Sequence, residues 1–239
     1  MTEGSEQQIH IDQAFLDDLT KKHEEAFEST LKLKDSPEWK FKKKDGDLQI
    51  YVRKDPIEKF DQIMSVISMP YTTEEIMSKI RPLDLIDEST PKNERHGIAR
   101  RKILWEKEND PDHEALIVYI CMETPVAIVA KRDLLVYRRR YEKDGRSFFM
   151  HTSFDNDDIM KPVPGNVRSK IYFQLYIVED DPKVPGNKLL WFICQANPMG
   201  SIPAWVYNII VATQAENPKI IKDQIKADHD AAEKQQQKQ

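Results

Sequence analysis

The chain has 239 residues, 39% of them hydrophobic and 32% charged, with a formal net charge of −5 and an isoelectric point near 5.8. That length makes one large domain or two small ones, with enough apolar residues for a sizeable core and room inside it. An acidic balance excludes a general nucleic-acid binder, because phosphate affinity needs a basic face.

In chain order, the first expected element is an amphipathic helix from about Ser5 to Leu33. Its apolar residues Ile11, Phe15, Leu19, Ala26 and Phe27 recur at helical spacing above a charged far face. Asp35-Ser36-Pro37 stops it. Short strands are expected at Trp39 to Lys43, Leu48 to Lys54 and Phe60 to Met69, the first two joined by the turn Asp45-Gly46. Tyr71-Thr72-Thr73-Glu74-Glu75 is a helix start, with Thr72 or Thr73 as cap and acids in the first turn, and Pro82 closes that helix.

Six more strands follow a polar segment: His96 to Lys107, Glu114 to Met122, Asp133 to Tyr141, Ser147 to Phe154, Arg168 to Val178 and Leu189 to Gln195. The last is apolar on both faces, as is Phe60 to Met69, so each needs an apolar partner on each side. A final helix opens at Ser201-Ile202-Pro203-Ala204-Trp205 and is apolar almost all round, so it is covered or it lids an apolar space. The polar, low-complexity stretch from Ala231 to Gln239 is expected to fray. The order of helix, three strands, helix, six strands, helix defines an α+β fold in which a long antiparallel sheet curls around the last helix. Periodicity does not say whether side chains fill the interior.

No secretory signal is read in Met1 to Thr20, and nowhere do eighteen apolar residues run together. Cys121 and Cys194 both fall in expected strands, as reduced thiols of a cytosolic protein would. The six histidines show no paired ligand spacing, so no metal is expected, and no phosphate loop, dinucleotide fingerprint or nucleophile elbow is present. The basic run Lys40-Phe41-Lys42-Lys43-Lys44 reads as a solvated strand face that adds attraction to anionic lipid.

Three motifs in register over about a hundred residues carry a resemblance. They are Lys131-Arg132-Asp133-Leu134-Leu135-Val136-Tyr137-Arg138, Val163-Pro164-Gly165-Asn166-Val167-Arg168, and Asn197-Pro198-Met199-Gly200-Ser201-Ile202-Pro203-Ala204-Trp205. Together they resemble the lipid-transfer domains related to the steroidogenic acute regulatory protein, with the nearest likeness to the phosphatidylcholine-transfer branch. The likeness implies a helix-grip fold: a curved sheet of nine antiparallel strands closed by a long C-terminal helix over a lipid tunnel. On that reading residues 1–36 are the N-terminal helix of the same domain, 37–228 the lipid-binding body and 229–239 a disordered tail.

The resemblance implies a non-enzymatic carrier of one lipid, with a phospholipid as cargo, no cofactor, a cytoplasmic monomer and transient contact with membranes. It places Arg138, Arg168, Tyr172, Gln174, Ile120, Leu134 and Phe192 around the ligand. Arg138 and Arg168 stand equally as paired internal cations that orient nearby groups. Strand alternation alone puts Ile171, Phe173, Leu175 and Ile177 inside, whereas the resemblance puts Tyr172 and Gln174 there; both readings stay open. Ile120 and Leu134 occupy positions where a choline cage has aromatic faces, so the cage is broken. A membrane gate is expected from Pro125, Ile128 and Val129 in one loop and from Trp205, Val206, Ile209 and Ile210 in the last helix. The alternative is an enzyme of the same fold, cyclase- or hydrolase-like, for which His151, Glu94 and Arg138 are the candidate groups.

Overall fold

The computed structural model describes residues 11–58, 60–80, 85–91, 97–107, 115–124 and 129–236. Helix α1 spans Gln13–Lys34; strands β1 (Lys40–Asp45), β2 (Leu48–Arg53) and β3 (Gln62–Met69) follow, then α2 (Thr73–Ile80). Next come β4 (Ile98–Glu106), β5 (Ala115–Met122), β6 (Arg132–Lys143), β7 (Arg146–Ser153), β8 (Val167–Arg168), β9 (Lys170–Asp180) and β10 (Lys188–Asn197). Helices α3 (Ala204–Ala215) and α4 (Asn217–Gln236) complete the chain.

One ten-stranded sheet runs β1-β2-β3-β10-β9-β7-β6-β5-β4, antiparallel at every step. The nine strands expected along the chain are all present. The tenth, β8, is a two-residue parallel pairing of Val167 and Arg168 with Arg132 and Asp133, along a stretch of β6 that β7 does not cover.

The doubly apolar strands are explained by what lies on each face. On the convex side Phe27 of α1 packs with Met64 of β3, Phe148 and Met150 of β7, Leu175 and Ile177 of β9 and Ile193 of β10. Further along α1, Leu16 and Leu19 meet Ile117, Tyr119, Leu135 and Tyr137 of β5 and β6. On the concave side Ile67, Met69, Leu190 and Phe192 pack with Ile76 and Met77 of α2 and Ile221 and Ile225 of α4. Period-two alternation is therefore present, but both sets of side chains are apolar because both faces are covered.

Local signals set the helix starts. Before α2 the Thr72 N–H donates to Glu75 Oε2 at 2.7 Å while the Glu75 N–H donates to Thr72 Oγ1 at 3.2 Å, a reciprocal capping box. The single long final helix expected from the sequence is instead two, meeting at Glu216. Pro218 has no N–H to offer the carbonyl of Gln214, which accepts from Asn217 Nδ2 at 2.9 Å instead. The expected frayed tail is also helical as far as Gln236, although it is exposed from Lys226 onward.

His23 of α1 is buried against the sheet, its Nδ1 2.7 Å from Thr152 Oγ1, its ring edge-on to Tyr137 and stacked on Tyr141. Burial, helped by Arg139, lowers its pKa to about 3 from 6.5. Between those values the unfolded chain binds a proton that the folded chain refuses. Stability therefore falls as pH drops below 6.5, by up to about 1.4 kcal/mol per pH unit from this residue. His151, whose pKa is also lowered by burial, adds to the slope in the same direction. Urea unfolding of His23→Gln across that window should show a shallower loss than the parent, and an unchanged slope would clear His23 of the effect.

Candidate functional site

Not all of the concave face is packed. Helices α2 and α4 cover the β1–β3 side and the far ends of β9 and β10, while the β4–β7 side and the near ends of β9 and β10 border a cavity of about 400 Å³. Alternation along the strands assigns its walls. On β6 Arg132, Leu134, Val136 and Arg138 face the cavity, and on β5 Val118, Ile120 and Met122 do so. The intervening Leu135 and Tyr137, with Tyr119 and Cys121, face α1. Ile210, Val211 and Gln214 of α3 and Asn217 of α4 close the remaining side.

Most of the lining surface is apolar, but polar side chains from several elements border it, among them Arg101, Arg132, Arg138, His151 and Gln174. Arg138 is buried, donates through Nη2 to the Ile80 carbonyl at 3.0 Å, and lies with its guanidinium 3.9 Å from the centre of the Phe149 ring. His151 pairs with Arg138 across β6 and β7. Burial first, and then the charges of Arg138, His23 and Arg101, hold its imidazole well below the usual range, so it is neutral. Its ring retains some accessible surface because it borders the cavity. Gln174 Nε2 donates to Tyr176 Oη at 3.0 Å, and burial pushes that phenol's pKa up. Cys194, 3.4 Å from Gln214 Oε1, is raised to about 12 by burial and stays a thiol.

Placement of the expected residues divides them. Arg138, Gln174, Ile120 and Leu134 line the cavity, and so does Ile210. Phe192 does not: its ring lies tilted against Tyr176, centroids 5.0 Å apart, inside the packed core beneath α2 and α4. Tyr172 also lies elsewhere, its hydroxyl donating to Glu58 Oε1 at 2.6 Å, because a bulge opposite Gln195 and Ala196 breaks the alternation of β9 at this residue. Beyond the bulge, Gln174 faces inward while Phe173 and Leu175 pack toward α1. Each of the two alternation readings of this strand therefore describes part of it.

Arg168 serves Asp133 rather than the cavity. Its Nε is 2.9 Å from Asp133 Oδ1, and Nη2 donates to the Met160 carbonyl at 3.3 Å. Asp133, fully buried, also accepts from Tyr119 Oη at 3.3 Å and from the Val163 N–H at 3.4 Å. This pair fastens the segment between β7 and β8 against β6, so the residues are held as a structural ion pair.

Arg132, absent from the residues expected around the ligand, is buried at the rim of the cavity. It donates to the carbonyls of Pro198 at 3.2 Å, of Met199 at 3.3 Å and of Ala130. It thereby ties the loop before β6 to the turn before α3, where Met199 and Gly200 have φ of 53° and 65°. The signal available in the sequence was its even spacing from Leu134 and Arg138 on one strand face.

Among the expected gate residues, Trp205 and Ile209 are 53% and 45% exposed, one helical turn apart on α3. Val206 is fully buried and Val129 nearly so; both pack inward and present nothing to a membrane. Pro125, Ile128 and the candidate acid Glu94 lie outside the described residues. The two cysteines are buried free thiols, and no cluster that could hold a metal ion occurs among the described residues.

Comparison with solved structures shows the same fold at low sequence identity. Human STARD10 aligns over 98% of this chain and 86% of its own, with 14% identity and a TM-score of 0.67. Human StAR-related lipid transfer protein 5 aligns over 88% and 97%, with 15% identity and a TM-score of 0.69. A STAR-related lipid transfer protein from Xanthomonas axonopodis aligns over 79% and 99%, with 16% identity and a TM-score of 0.61. A comparison with curated proteins gives no match. The START domain profile matches residues 98–229, more than half of the chain and the segment that supplies most of the cavity wall. With that match over more than half of its length and the fold shared with these structures, the chain belongs to the START domain family.

Proposed function

We propose that this chain is a non-enzymatic lipid carrier that holds one lipid in the cavity and exchanges it at membranes. The observation that carries the reading is the aliphatic cavity beneath α3, bounded at its inner end by Arg138, His151 and Gln174. The lipid's polar end lies against those groups and its tail runs along Ile120, Leu134, Val136 and Ile210.

Volume bears on the cargo. A methylene fills about as much space as a water molecule, roughly 30 Å³, so about 400 Å³ takes on the order of thirteen such groups. That is one acyl chain of moderate length; a sterol, with about twice as many carbon atoms, exceeds it. A diacyl phospholipid, the cargo expected from the sequence, requires α3 to move outward. The aliphatic Ile120 and Leu134 offer no aromatic face to a quaternary ammonium, which speaks against phosphatidylcholine selectivity. Burying that many methylenes is worth about 10 kcal/mol, so the cargo leaves into another apolar phase rather than into water.

Transfer therefore needs a membrane contact, and the exposed pair Trp205 and Ile209 supplies one on the helix that closes the cavity. The carrier works as a cytosolic monomer that touches membranes only to exchange cargo. The enzyme alternative relies on a group that takes up and gives back protons near neutrality, and burial beside Arg138 leaves His151 a weak base.

Mass spectrometry of an organic extract of the purified protein should yield one unmodified lipid per chain, whereas an empty cavity together with turnover of a small substrate would replace the carrier with the enzyme. Ile120→Trp puts a large side chain into open space and should lower bound lipid several-fold with little change in melting temperature; undiminished lipid would place the ligand elsewhere. Trp205→Glu should slow transfer between vesicles by about tenfold while leaving bound lipid intact, as expected for loss of an apolar membrane anchor. Equal transfer rates in mutant and parent would remove α3 from the exchange step.

A further inference from the structure

We propose that edge strand β1 is an electrostatic docking surface for membranes rich in anionic lipid, acting beside the exposed face of α3. This deepens the carrier reading and rests on it only for the purpose of docking. All six residues of β1, Lys40–Asp45, are exposed, and Phe41 among them is 59% exposed. Four ammonium groups within five residues stand out in a chain whose net charge is −5.

The nearby acids cancel them only in part. Glu38 is engaged by Arg53, whose Nε donates to it at 2.7 Å, and Asp47 by Lys222 at 3.1 Å. Lys43 is 4.0 Å from Glu216, and Asp45 ends the strand, so positive charge remains in excess along β1.

Register puts two of the four lysines, Lys40 and Lys43, on the side of the sheet where α3 lies, together with Asp45. Lys43 pairs with Ile50, a residue of the concave core, and Lys40 pairs with Val52, two residues further along the same face. Phe41 instead meets Tyr51 on the convex side, with ring centroids 5.7 Å apart. Helix α3 packs on β3, and β1 is two strands away, about 10 Å at ordinary strand spacing. The ion pair from Lys43 reaches Glu216, the residue at which α3 ends. Lys43 therefore sits by the C-terminal end of α3, about 17 Å along the helix from Trp205 at its start, and a flat membrane that receives Trp205 and Ile209 meets Lys40 and Lys43 where it also lies against this edge of the sheet.

Lysines on an edge strand also discourage strand-to-strand aggregation, a role that gives no dependence on lipid charge. Lipid charge thus separates the two. Co-sedimentation should be measured with vesicles of phosphatidylcholine alone and with phosphatidylserine added, for the intact chain, for Lys40→Gln/Lys43→Gln and for Trp205→Glu. Each lysine near an anionic surface is worth about fivefold in partitioning, so the double variant should bind the phosphatidylserine vesicles at least tenfold less. Its binding to neutral vesicles should be unchanged, and added salt should weaken the parent on the charged vesicles alone.

Trp205→Glu should lose binding to both vesicle types. Equal binding of parent and double variant to the charged vesicles would overturn the proposal, as would parent binding indifferent to phosphatidylserine. Such indifference would leave an acidic protein surface as the partner of β1. Lipid extraction tests the carrier reading separately, since a chain that carries no lipid still gives a readable partitioning result.

Discussion

A sheet whose strands are apolar on both faces must be covered on both, and the rest of this structure follows from how unequal the two coverings are. On the convex face one helix, α1, is enough, because Phe27, Leu19 and Leu16 lie along its length and meet the side chains of six strands. On the concave face α2 and α4 pack densely over only part of the sheet. The remainder of the concave surface, on β4, β5, β6 and β7, is too wide for α3 to fill with side chains. The empty volume is thus a consequence of sheet curvature and helix placement, not of any single small residue.

Polar groups in and around this cavity differ in how they are held, and the difference separates structure from ligand chemistry. Asp133 and Arg168 satisfy each other and two backbone groups, which is what a buried ion pair requires if it is not to cost stability. Arg132 spends its donors on three carbonyls at the rim and so joins two loops that β-pairing does not connect. Arg138 is different in setting: it lies over an aromatic ring at the inner end of an aliphatic chamber, with a neutral imidazole and an amide nearby. A low dielectric there strengthens any hydrogen bond made to a ligand's polar end.

The helical cover is built in two parts with different attachments. Helix α4 is fixed by Ile221 and Ile225 in the core, by Lys222 reaching Asp47 and the Ser68 carbonyl, and by His229 against Glu75. Helix α3 has no charged residue and no side-chain cap, and its outward face carries Trp205 and Ile209. Pro218 interrupts the backbone ladder between them. Stability is thereby concentrated in the half that packs, and the half that covers the cavity is the more loosely held.

Much of this was legible in the residues. The α+β class, the order of the long strands, the α1 stripe and the Thr72 cap are local or periodic properties, and local sequence specifies them. The double apolarity of β3 and β10 already required cover on both sides. Tertiary structure alone decided the rest, because those outcomes depend on contacts between segments far apart in the chain. The bulge at Tyr172 turns that side chain to Glu58 while returning Gln174 to the cavity, and alternation read along one strand has no term for a residue left unpaired by its neighbour. Whether Phe192 faces a ligand or Tyr176 depends on how far α2 and α4 extend over the sheet, and that length is set by packing. Residue types determined that the inner surface would be apolar; only the spacing between sheet and helices determined that part of it would stay empty.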